Sequence, residues 1–478
     1  MQLGKSVRRI VGIVLLVCIV FLLGRLGGWI VSRRAVIDSR KPILAELDRL
    51  GAHYYYDYQL IDCETSKLAD EGSPDIKKHW LVPLLGRDWF HDVFYVTFAK
   101  FDSHRTDGAV AMQQSNIDNR TLLKLSELRG LRWLALTGTG ISDPGMVPLS
   151  KLLTIERLWL SQTQITNAGL KQLASMSSLT HLSIEATPTS DHGLAFLVGL
   201  PKLRSLSLGS PLFTSAGLRQ LQQARSIEHL YLDQLPVDDS VLAAIAELRQ
   251  IRTLSLRQTA ITNEGLGYLK RLQKLKELRL DGCRLSDAAF LPASEWKELE
   301  SISLANTQIG DQGLQFLAGC NSLKSIEVSE SACSLGGVID LLVGKLGRDL
   351  PKALKTAFNA KLDSGGNVTS VNLSPVRITD SDIELLSGLQ QLQWLTMQNN
   401  ELTDAGARRI AELGFPHLRM LKLDNARITD DGLEFLSTLT NLRDLHIHQT
   451  LITPQALVAM QASKPFLRIY NSDSPTKK

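Results

Sequence analysis

One 24-residue pattern recurs along most of the chain and limits what it can fold into. A clean copy occupies residues 251–274 and reads IRTLSLRQTAITNEGLGYLKRLQK. Its first half has the spacing L-x-x-L-x-L beginning at Ile251, and its second half has leucines three residues apart beginning at Leu266. The apolar period therefore changes inside the unit from two to three or four. This change predicts a short strand, a turn and a short helix in each copy.

Thirteen copies follow one another in nearly constant register. A single L-x-x-L-x-L is weak evidence, but self-similarity at a fixed period of 20–29 residues is the signature of one repeat architecture. A partial fourteenth copy starts at Leu467. The thirteen units begin at Leu131, Ile155, Leu179, Leu203, Ile227, Ile251, Leu275, Leu299, Leu323, Val368, Leu392, Leu418 and Leu442.

This pattern resembles the leucine-rich repeat family from about Leu131 to the C-terminus. The resemblance implies an α/β fold, in which the units stack into a right-handed solenoid. A parallel β-sheet would line the concave face and short helices the convex face. One unit cannot fold alone, since it buries about seven apolar side chains worth ~2 kcal/mol each while ordering its backbone costs more. Stacked neighbours must supply the remaining stability.

The twelfth position of each unit predicts where its helix begins. It is always a residue type favoured at a helix N-cap, where a side-chain oxygen accepts an unpaired backbone N–H. The next position is usually Asp or Asn, which suits the positive end of a helix. Nine units have Gly at the fifteenth position, which we interpret as letting the helix approach the strands closely. The helical outer face is typical of the ribonuclease-inhibitor-like branch. The twelfth-position residues are Ser142, Thr166, Ser190, Thr214, Asp238, Thr262, Ser286, Gly310, Ser334, Thr379, Thr403, Thr429 and Thr453.

The first 31 residues carry a membrane signal. Three basic residues precede 10–31, an apolar stretch interrupted only by Arg25. As a helix it would be ~33 Å long, enough to cross ~30 Å of hydrocarbon. We expect a transmembrane anchor at 10–31. A cleaved signal peptide remains an alternative, because residues 10–23 also fit a signal-peptide core.

The orientation of this anchor is less constrained. Counting basic residues on the two sides favours a cytoplasmic repeat domain, but long domains cross membranes largely regardless of charge. A basic tail followed at once by the apolar stretch is typical of uncleaved signal sequences. We expect a single-pass membrane protein with an extracytoplasmic repeat domain, which in a bacterium would be periplasmic.

Four regions follow from these patterns. Residues 1–31 form the anchor or signal sequence, and 32–92 form an α/β cap that shields the first repeat, as solenoids need for solubility. Residues 93–470 form the solenoid, and 471–478 are a polar tail. The period is interrupted at 332–367, where the step between units grows to 45 residues. Either a decayed repeat or an inserted hairpin fits this interruption.

The strand residues between the leucines predict the candidate binding surface. In this architecture the third, fifth, seventh and eighth positions of each unit point to the concave face, and most are small. Larger side chains cluster on neighbouring strands, and aromatic and Arg residues are the usual anchors of protein interfaces. The first cluster is Trp133, Arg157, Trp159 and His181, with His229 and Tyr231 further along; the second is Trp394, Met420, Lys422, His446 and His448.

Other chemistry is weakly indicated. Asp444, His446 and His448 share one strand face near Asp424, which suggests a zinc site, although the spacing is nonspecific. The five cysteines show no C-x-x-C spacing and read as small core residues, with a Cys320–Cys333 bridge as an unsupported option. No phosphate loop, nucleophile elbow or zinc-protease motif occurs. We expect neither an enzyme nor a cofactor.

These observations favour a membrane-anchored interaction module whose concave face holds a protein or peptide. The formal charge of +4 over 478 residues argues against a nucleic-acid partner. A structural envelope protein or self-associating spacer is the alternative. An enzyme or metal-dependent sensor is the least favoured reading.

Overall fold

The computed structural model describes residues 32–56, 60–62, 67–68, 93–97, 117–345, 349–398 and 400–471. The predicted anchor at 10–31 and almost all of the tail lie outside these ranges, as does most of the second half of the predicted cap. Among the described residues, no helix combines the length and apolar character needed to cross a bilayer. The chain divides into two compact units, Met1–Leu203 and Arg204–Lys478.

The first unit holds one sheet that begins antiparallel and continues parallel. Residues 32–49 are helical, and the next strand pairs antiparallel with the strand that opens the repeats. From there each strand runs parallel to the one before it. The strand order is β1-β4-β5-β6-β7, and β2 and β3 form a separate antiparallel pair. The strands are β1 His53–Tyr56, β2 Leu60–Asp62, β3 Lys67–Leu68, β4 Val93–Thr97, β5 Trp133–Ala135, β6 Arg157–Trp159 and β7 His181–Glu185.

The second unit holds two runs of strands in chain order, which are parallel except for the antiparallel pair β14 and β15. Leucines of adjacent repeats lie directly opposite one another, as Leu254 does Leu278, so the 24-residue spacing is kept as strand register. The first run is β8 Ser205–Gly209, β9 His229–Tyr231, β10 Thr253–Ser255, β11 Glu277–Arg279, β12 Ser301–Ser303 and β13 Ser325–Glu327. The second run is β14 Lys361–Leu362, β15 Val368–Asn372, β16 Trp394–Thr396, β17 Met420–Lys422, β18 Asp444–His446 and β19 Arg468–Tyr470.

The interruption at 332–367 separates these two runs. It contains two helices, Leu335–Lys345 and Leu350–Phe358, and then the short strand β14. Asn359 ends the second helix in the left-handed conformation. Strand β14 pairs antiparallel with β15 through a turn in which Asp363 accepts backbone N–H groups of Gly365 and Asn367. The interruption thus combines an ordinary repeat helix with an added helix and a β-hairpin.

Each described repeat continues from its strand into a short helix. Most are α-helices of seven residues, and several are partly or wholly 3-10 helices. The first unit has helices Asn119–Leu125, Asp143–Leu149, Asn167–Leu173 and Asp191–Leu197. The second has α-helices Ser215–Leu218, Asp239–Ile245, Asn263–Leu266, Asp311–Leu317, Asp404–Leu413, Asp430–Leu436 and Pro454–Ser463, and 3-10 helices Arg219–Gln223, Gly267–Arg271, Asp287–Phe290, Ala293–Glu295 and Asp380–Leu386.

The apolar positions of the unit form the core of each stack. In the copy that starts at Ile251, the first, fourth and sixth residues are all fully buried, as are the leucines of its helix segment. The turn after the strand requires a left-handed residue at the eighth position, as at Gln258 and Gly282. Where the ninth residue is Thr, its buried hydroxyl donates to the carbonyl three residues earlier, as Thr259 does to Leu256.

The thirteenth-position side chain joins each repeat to the next. Asp143 Oδ1 accepts the backbone N–H of Thr166 at 2.8 Å, and its Oδ2 accepts the Thr166 hydroxyl at 2.6 Å. We call this contact the clasp. The sequence predicts only that Asp or Asn favours a helix start, whereas the structure uses it to hold the helix start of the following unit. Further clasps are Asn119–Ser142, Asn167–Ser190, Asp239–Thr262, Asn263–Ser286, Asp311–Ser334, Asp380–Thr403, Asp404–Thr429 and Asp430–Thr453.

The clasp also correlates with the choice of Ser or Thr at the twelfth position, with Asp311–Ser334 as an exception. Where the clasping residue is Asn, the twelfth position of the following unit is Ser. The Asn amide then donates to the Ser hydroxyl, as Asn167 does to Ser190 at 2.7 Å. Such Ser side chains do not cap their own helix, which corrects the expectation from sequence. A clasping Asp instead accepts from the Thr hydroxyl, which leaves the Thr oxygen free to cap, as at Thr166.

The clasp provides a further physical reason for glycine at the fifteenth position, besides close approach of the helix to the strands. A Cβ on Gly193 would lie 2.7 Å from Asn167 Oδ1 and 2.7 Å from a methyl carbon of Leu170, both in the preceding unit. At Gly193, glycine therefore makes room for the preceding clasp. The bulkier Val241 and Asp382 occupy this position only where the preceding unit has Ser215 or Leu335 instead of Asp or Asn.

We predict that Gly193→Ala destabilises the protein by about 1–3 kcal/mol, because the added methyl overpacks against the clasp. Gly199→Ala is the matched control in the same repeat, since a Cβ there meets nothing within 4 Å. It should leave stability unchanged or raise it slightly. Urea unfolding followed by circular dichroism measures both variants. Equal midpoints for the two would show that the clasp does not require glycine.

Candidate functional site

The strand face of each compact unit is the surface formed by the third, fifth and seventh positions of its repeats. Successive residues of a strand point to opposite sides, so these positions point away from the buried leucines. In β11, Leu278 is fully buried while its neighbours Glu277 and Arg279 are only partly covered. All eleven predicted binding residues lie on this face in one unit or the other.

The first predicted cluster comes together in the first unit. Strand register places Trp133 beside Arg157, and Arg157 beside His181. The Arg157 guanidinium lies over the Trp133 ring at 4.4 Å from its centroid, a cation–π contact. Trp133 is only 2% exposed and Arg157 only 8%. This stack therefore has little surface left for a ligand, and Trp159 and His181 offer more.

His229 and Tyr231 belong to a polar network on β9 to β11 of the second unit. His229 Nδ1 lies 3.0 Å from the hydroxyl of Thr253, which donates to Glu277 at 3.4 Å, and Glu277 pairs with Arg279 at 2.7 Å. Burial lowers the pKa of His229 and raises that of Tyr231. The network is closed on itself and leaves no charge of Glu277 or Arg279 without a partner.

The second predicted cluster lies on β16 to β19 of the second unit. Register places Trp394 beside Met420, and Lys422 beside His446. The His446 ring stacks on Tyr470, with centroids 4.2 Å apart and planes 11° from parallel. Trp394 is 39% exposed and Tyr470 37%. We call this surface the C-terminal strand face; it presents aromatic groups to solvent, which the Trp133 stack does not.

The carboxylates of this face are withdrawn from solvent. Asp424 is 7% exposed; it accepts the backbone N–H of His448 at 2.8 Å and the amide of Gln398. Asp444 is 9% exposed and binds Arg468 at 2.7 Å. Among the described residues, no group of three or more His, Cys, Asp or Glu is placed to hold a metal ion. The zinc hypothesis for Asp424, Asp444, His446 and His448 thus gains no support from this geometry.

The described cysteines are buried core thiols. Cys283, Cys320 and Cys333 are free. Cys320 donates to the Ala293 carbonyl and Cys333 to that of Ile309, so the optional bridge between these two is not formed. Burial raises the pKa of each of these two thiols to about 11. They are therefore protonated near neutral pH and unsuited to nucleophilic chemistry. Cys18 and Cys63 lie outside the described residues.

The charged residues at the second position of the units form a ladder of ion pairs that was not predicted from the sequence. Glu228 lies between Arg204 at 3.2 Å and Arg252 at 3.3 Å, and Glu300 between Lys276 at 3.1 Å and Lys324 at 2.6 Å. These side chains line the entrances of the strands. The signal was present in the sequence, because Glu228 and Glu300 each have a basic residue 24 positions before and after them.

Comparison with known families identifies the unit. A family model described as Leucine Rich repeat matches residues 299–318. The match begins at the first residue of a unit and spans strand β12 and the helix Asp311–Leu317. Residues 299–318 are a leucine-rich repeat. The matched model describes a structural repeat rather than a catalytic domain. No curated protein matches the chain.

Several solved structures are similar to this chain. An internalin from Listeria monocytogenes has 21% identity and a TM-score of 0.39, covering 74% of this chain and 83% of its own. A leucine-rich repeat protein of Leptospira interrogans has 19% identity and a TM-score of 0.44, covering 72% and 85%. A plant peptide hormone receptor in complex with RGF2 has 14% identity and a TM-score of 0.42, covering 73% and 57%. The chain thus spans less than two thirds of that receptor.

We predict that Lys422→Gln raises the pKa of His446. That pKa is lowered first by burial and then by the Lys422 charge, while Asp424 and Asp444 act in the opposite direction. Because folding lowers this pKa, protonation favours the unfolded chain, and stability should fall as the pH drops through ~6.5 and below. NMR titration of the imidazole in wild type and variant measures the shift. A lower or unchanged pKa in the variant would contradict the electrostatic role of Lys422.

Proposed function

We propose that this leucine-rich repeat protein is an interaction module that binds a protein or peptide through its C-terminal strand face. The observation that carries the proposal is the exposed pair of aromatic elements there, Trp394 and the His446–Tyr470 stack. Aromatic side chains bring large contact area at low entropic cost, and they dominate interface energetics. Met420 between them adds an adaptable apolar contact.

The rest of the strand face fits a supporting role. In the Trp133–Arg157 stack and the His229–Thr253–Glu277 network, the side chains contact one another within the protein. A ligand would have to break these contacts before using the groups, which lowers the free energy gained on binding. They stiffen the face instead, and a rigid surface loses less conformational entropy when it binds.

Binding, rather than catalysis, is the function that these groups support. General acid–base and nucleophilic catalysis need a free titratable group beside an activating partner. On the C-terminal strand face, Asp424 and Asp444 are held by the chain itself, and Cys320 and Cys333 in this unit's interior are protonated. The accessible groups are those of a contact surface.

A second function is favoured by a different observation. The last repeat leaves Phe466 92% exposed, and Val458 and Leu451 are also largely exposed. Open apolar ends of repeat arrays tend to associate, which is why terminal units normally carry a polar outer surface. A second copy covering this end would make the protein a self-associating structural spacer.

We also propose, from the sequence, that residues 10–31 anchor the protein in a membrane and place its ribonuclease-inhibitor-like repeats outside the cytoplasm. The apolar length, interrupted only by Arg25, supports the anchor. A reporter enzyme fused to the C-terminus and active only outside the cytoplasm should show activity in whole cells. Activity from a reporter restricted to the cytoplasm would reverse the orientation.

The binding proposal predicts where a partner can be crosslinked in cells. A photo-crosslinking amino acid at Thr396, on the C-terminal strand face, should yield a discrete adduct with another protein. The same group at Glu434, an exposed residue of the helix Asp430–Leu436, should yield none. Adding Trp394→Ala should reduce the Thr396 adduct about fivefold or more, since loss of an aromatic anchor costs at least ~1 kcal/mol.

Three outcomes distinguish binding through the C-terminal strand face from the other hypotheses. Adducts of equal yield from Thr396 and Glu434 would show that the strand face is not the binding surface. An adduct that Trp394→Ala leaves unchanged would show that the exposed aromatic group is not an anchor. An adduct whose second component is another copy of the chain would favour the self-associating spacer.

A further inference from the structure

The charge ladder at the second position of the units has no acidic residue in the last repeats. Between β8 and β13, each Glu at the second position is flanked by cations of the adjacent repeats, as Glu300 is by Lys276 and Lys324. Between β16 and β18, the corresponding residues are Gln393, Arg419 and Arg443. Arg252 and Lys276 are also neighbouring cations, but each pairs with a Glu on its other side, whereas Arg419 and Arg443 have no second-position acid on either side.

Arg419 and Arg443 are neighbours across the sheet. Met420 lies opposite Asp444 in the strand register, so the residues just before them are adjacent as well. Both side chains are exposed, and among the described residues neither has a carboxylate within ion-pair distance. Like charges on directly opposed positions destabilise a sheet. The fold thus carries an unfavourable pair that an external anion would relieve.

Lys422 extends this basic surface onto the C-terminal strand face. Its ammonium also lacks an ion-pair partner among the residues that the structure describes. The acids of the face do not compensate on the solvent side, because Asp424 and Asp444 are buried and bonded within the chain. What the face offers to solvent is therefore cationic groups and hydrogen-bond donors, set beside Trp394 and Met420.

We propose that the partner of the C-terminal strand face is an acidic polypeptide segment that carries an apolar or aromatic side chain among its carboxylates. This inference rests on the proposed binding function and specifies the chemistry of the ligand. The carboxylates pair with Arg419, Arg443 and Lys422, and the apolar side chain packs on Trp394. Arg binds carboxylates in bidentate geometry, which adds specificity as well as energy.

A nucleic acid fits this surface less well. Nucleic-acid binding draws most of its affinity from many phosphate contacts, and the face has three unpaired cations on a chain of formal charge +4. An acidic peptide needs only a few ion pairs beside an apolar anchor. Charge complementarity of this kind mainly raises the association rate and the discrimination between partners.

The test uses the full-length protein in non-ionic detergent and two fluorescent ten-residue peptides, nine Glu around one Phe and nine Gln around one Phe. We expect the Glu peptide to bind at least tenfold more tightly by fluorescence anisotropy, and its affinity to fall as salt rises. Arg419→Gln with Arg443→Gln should weaken binding about tenfold, which corresponds to ~1.4 kcal/mol.

The control is Lys276→Gln with Lys324→Gln, which removes the same charge from the same position of two other repeats. Its affinity for the Glu peptide should stay within about twofold of wild type. Circular dichroism of both double variants establishes that they are folded. Equal weakening by the two pairs would reduce the effect to overall charge and overturn the proposal.

Two further results would also overturn it. The Glu and Gln peptides would bind equally if carboxylates were not recognised. A single-stranded oligonucleotide that bound more tightly than the Glu peptide and depended on Arg419 and Arg443 would assign the surface to nucleic acid. The proposed function would survive either result if the Thr396 crosslink still depended on Trp394, so the two hypotheses fail separately.

Discussion

A carboxylate or amide held between two successive helices is the contact on which the repeat stack depends. Each helix begins with backbone N–H groups that have no partner within the helix. In this protein the first such group, at the twelfth position, is satisfied by the Asp or Asn that starts the helix of the preceding repeat. A clasped repeat therefore relies on its neighbour to complete its helix start. Leucine burial drives the stacking, and the clasp fixes its register.

At the carboxyl ends of the strands, Asp side chains likewise accept backbone N–H groups of the next repeat. Asp233 accepts the hydroxyl of Ser255 and the N–H of Arg257 in the next repeat, and Asp424 does the same for the N–H of His448. Asp233 and Asp424 are thus bonded to neighbouring repeats instead of facing solvent. This is why the acidic residues of the C-terminal strand face contribute little negative charge to its surface, while its arginines and Lys422 remain available.

The sequence was sufficient for the architecture because the repeat period is a local property. Thirteen copies of the pattern allowed strand, turn and helix start to be predicted. Leu254 and Leu278, which are 24 residues apart, lie opposite each other on adjacent strands, so the repeat spacing sets the strand register. The candidate site was less predictable because exposure depends on neighbours. Trp133 and Trp394 occupy the same position of their units, yet one is buried under Arg157 and the other is open. The role of Gly193 was also out of reach, since the side chain that it accommodates belongs to a different unit.

The repeat that begins at Val368 lacks the clasp of its predecessor, because Leu335 stands where a clasping Asp or Asn is otherwise found. Its Thr379 is held instead by its own Asp382, which accepts both the backbone N–H and the hydroxyl in a capping box. The helix start of this repeat thus needs no polar group from the preceding repeat, whereas clasps hold the helix starts of the repeats that follow it. Under mechanical tension, as between a membrane and a bound partner, the array should part at this junction first. The last repeats would then come away as an intact block.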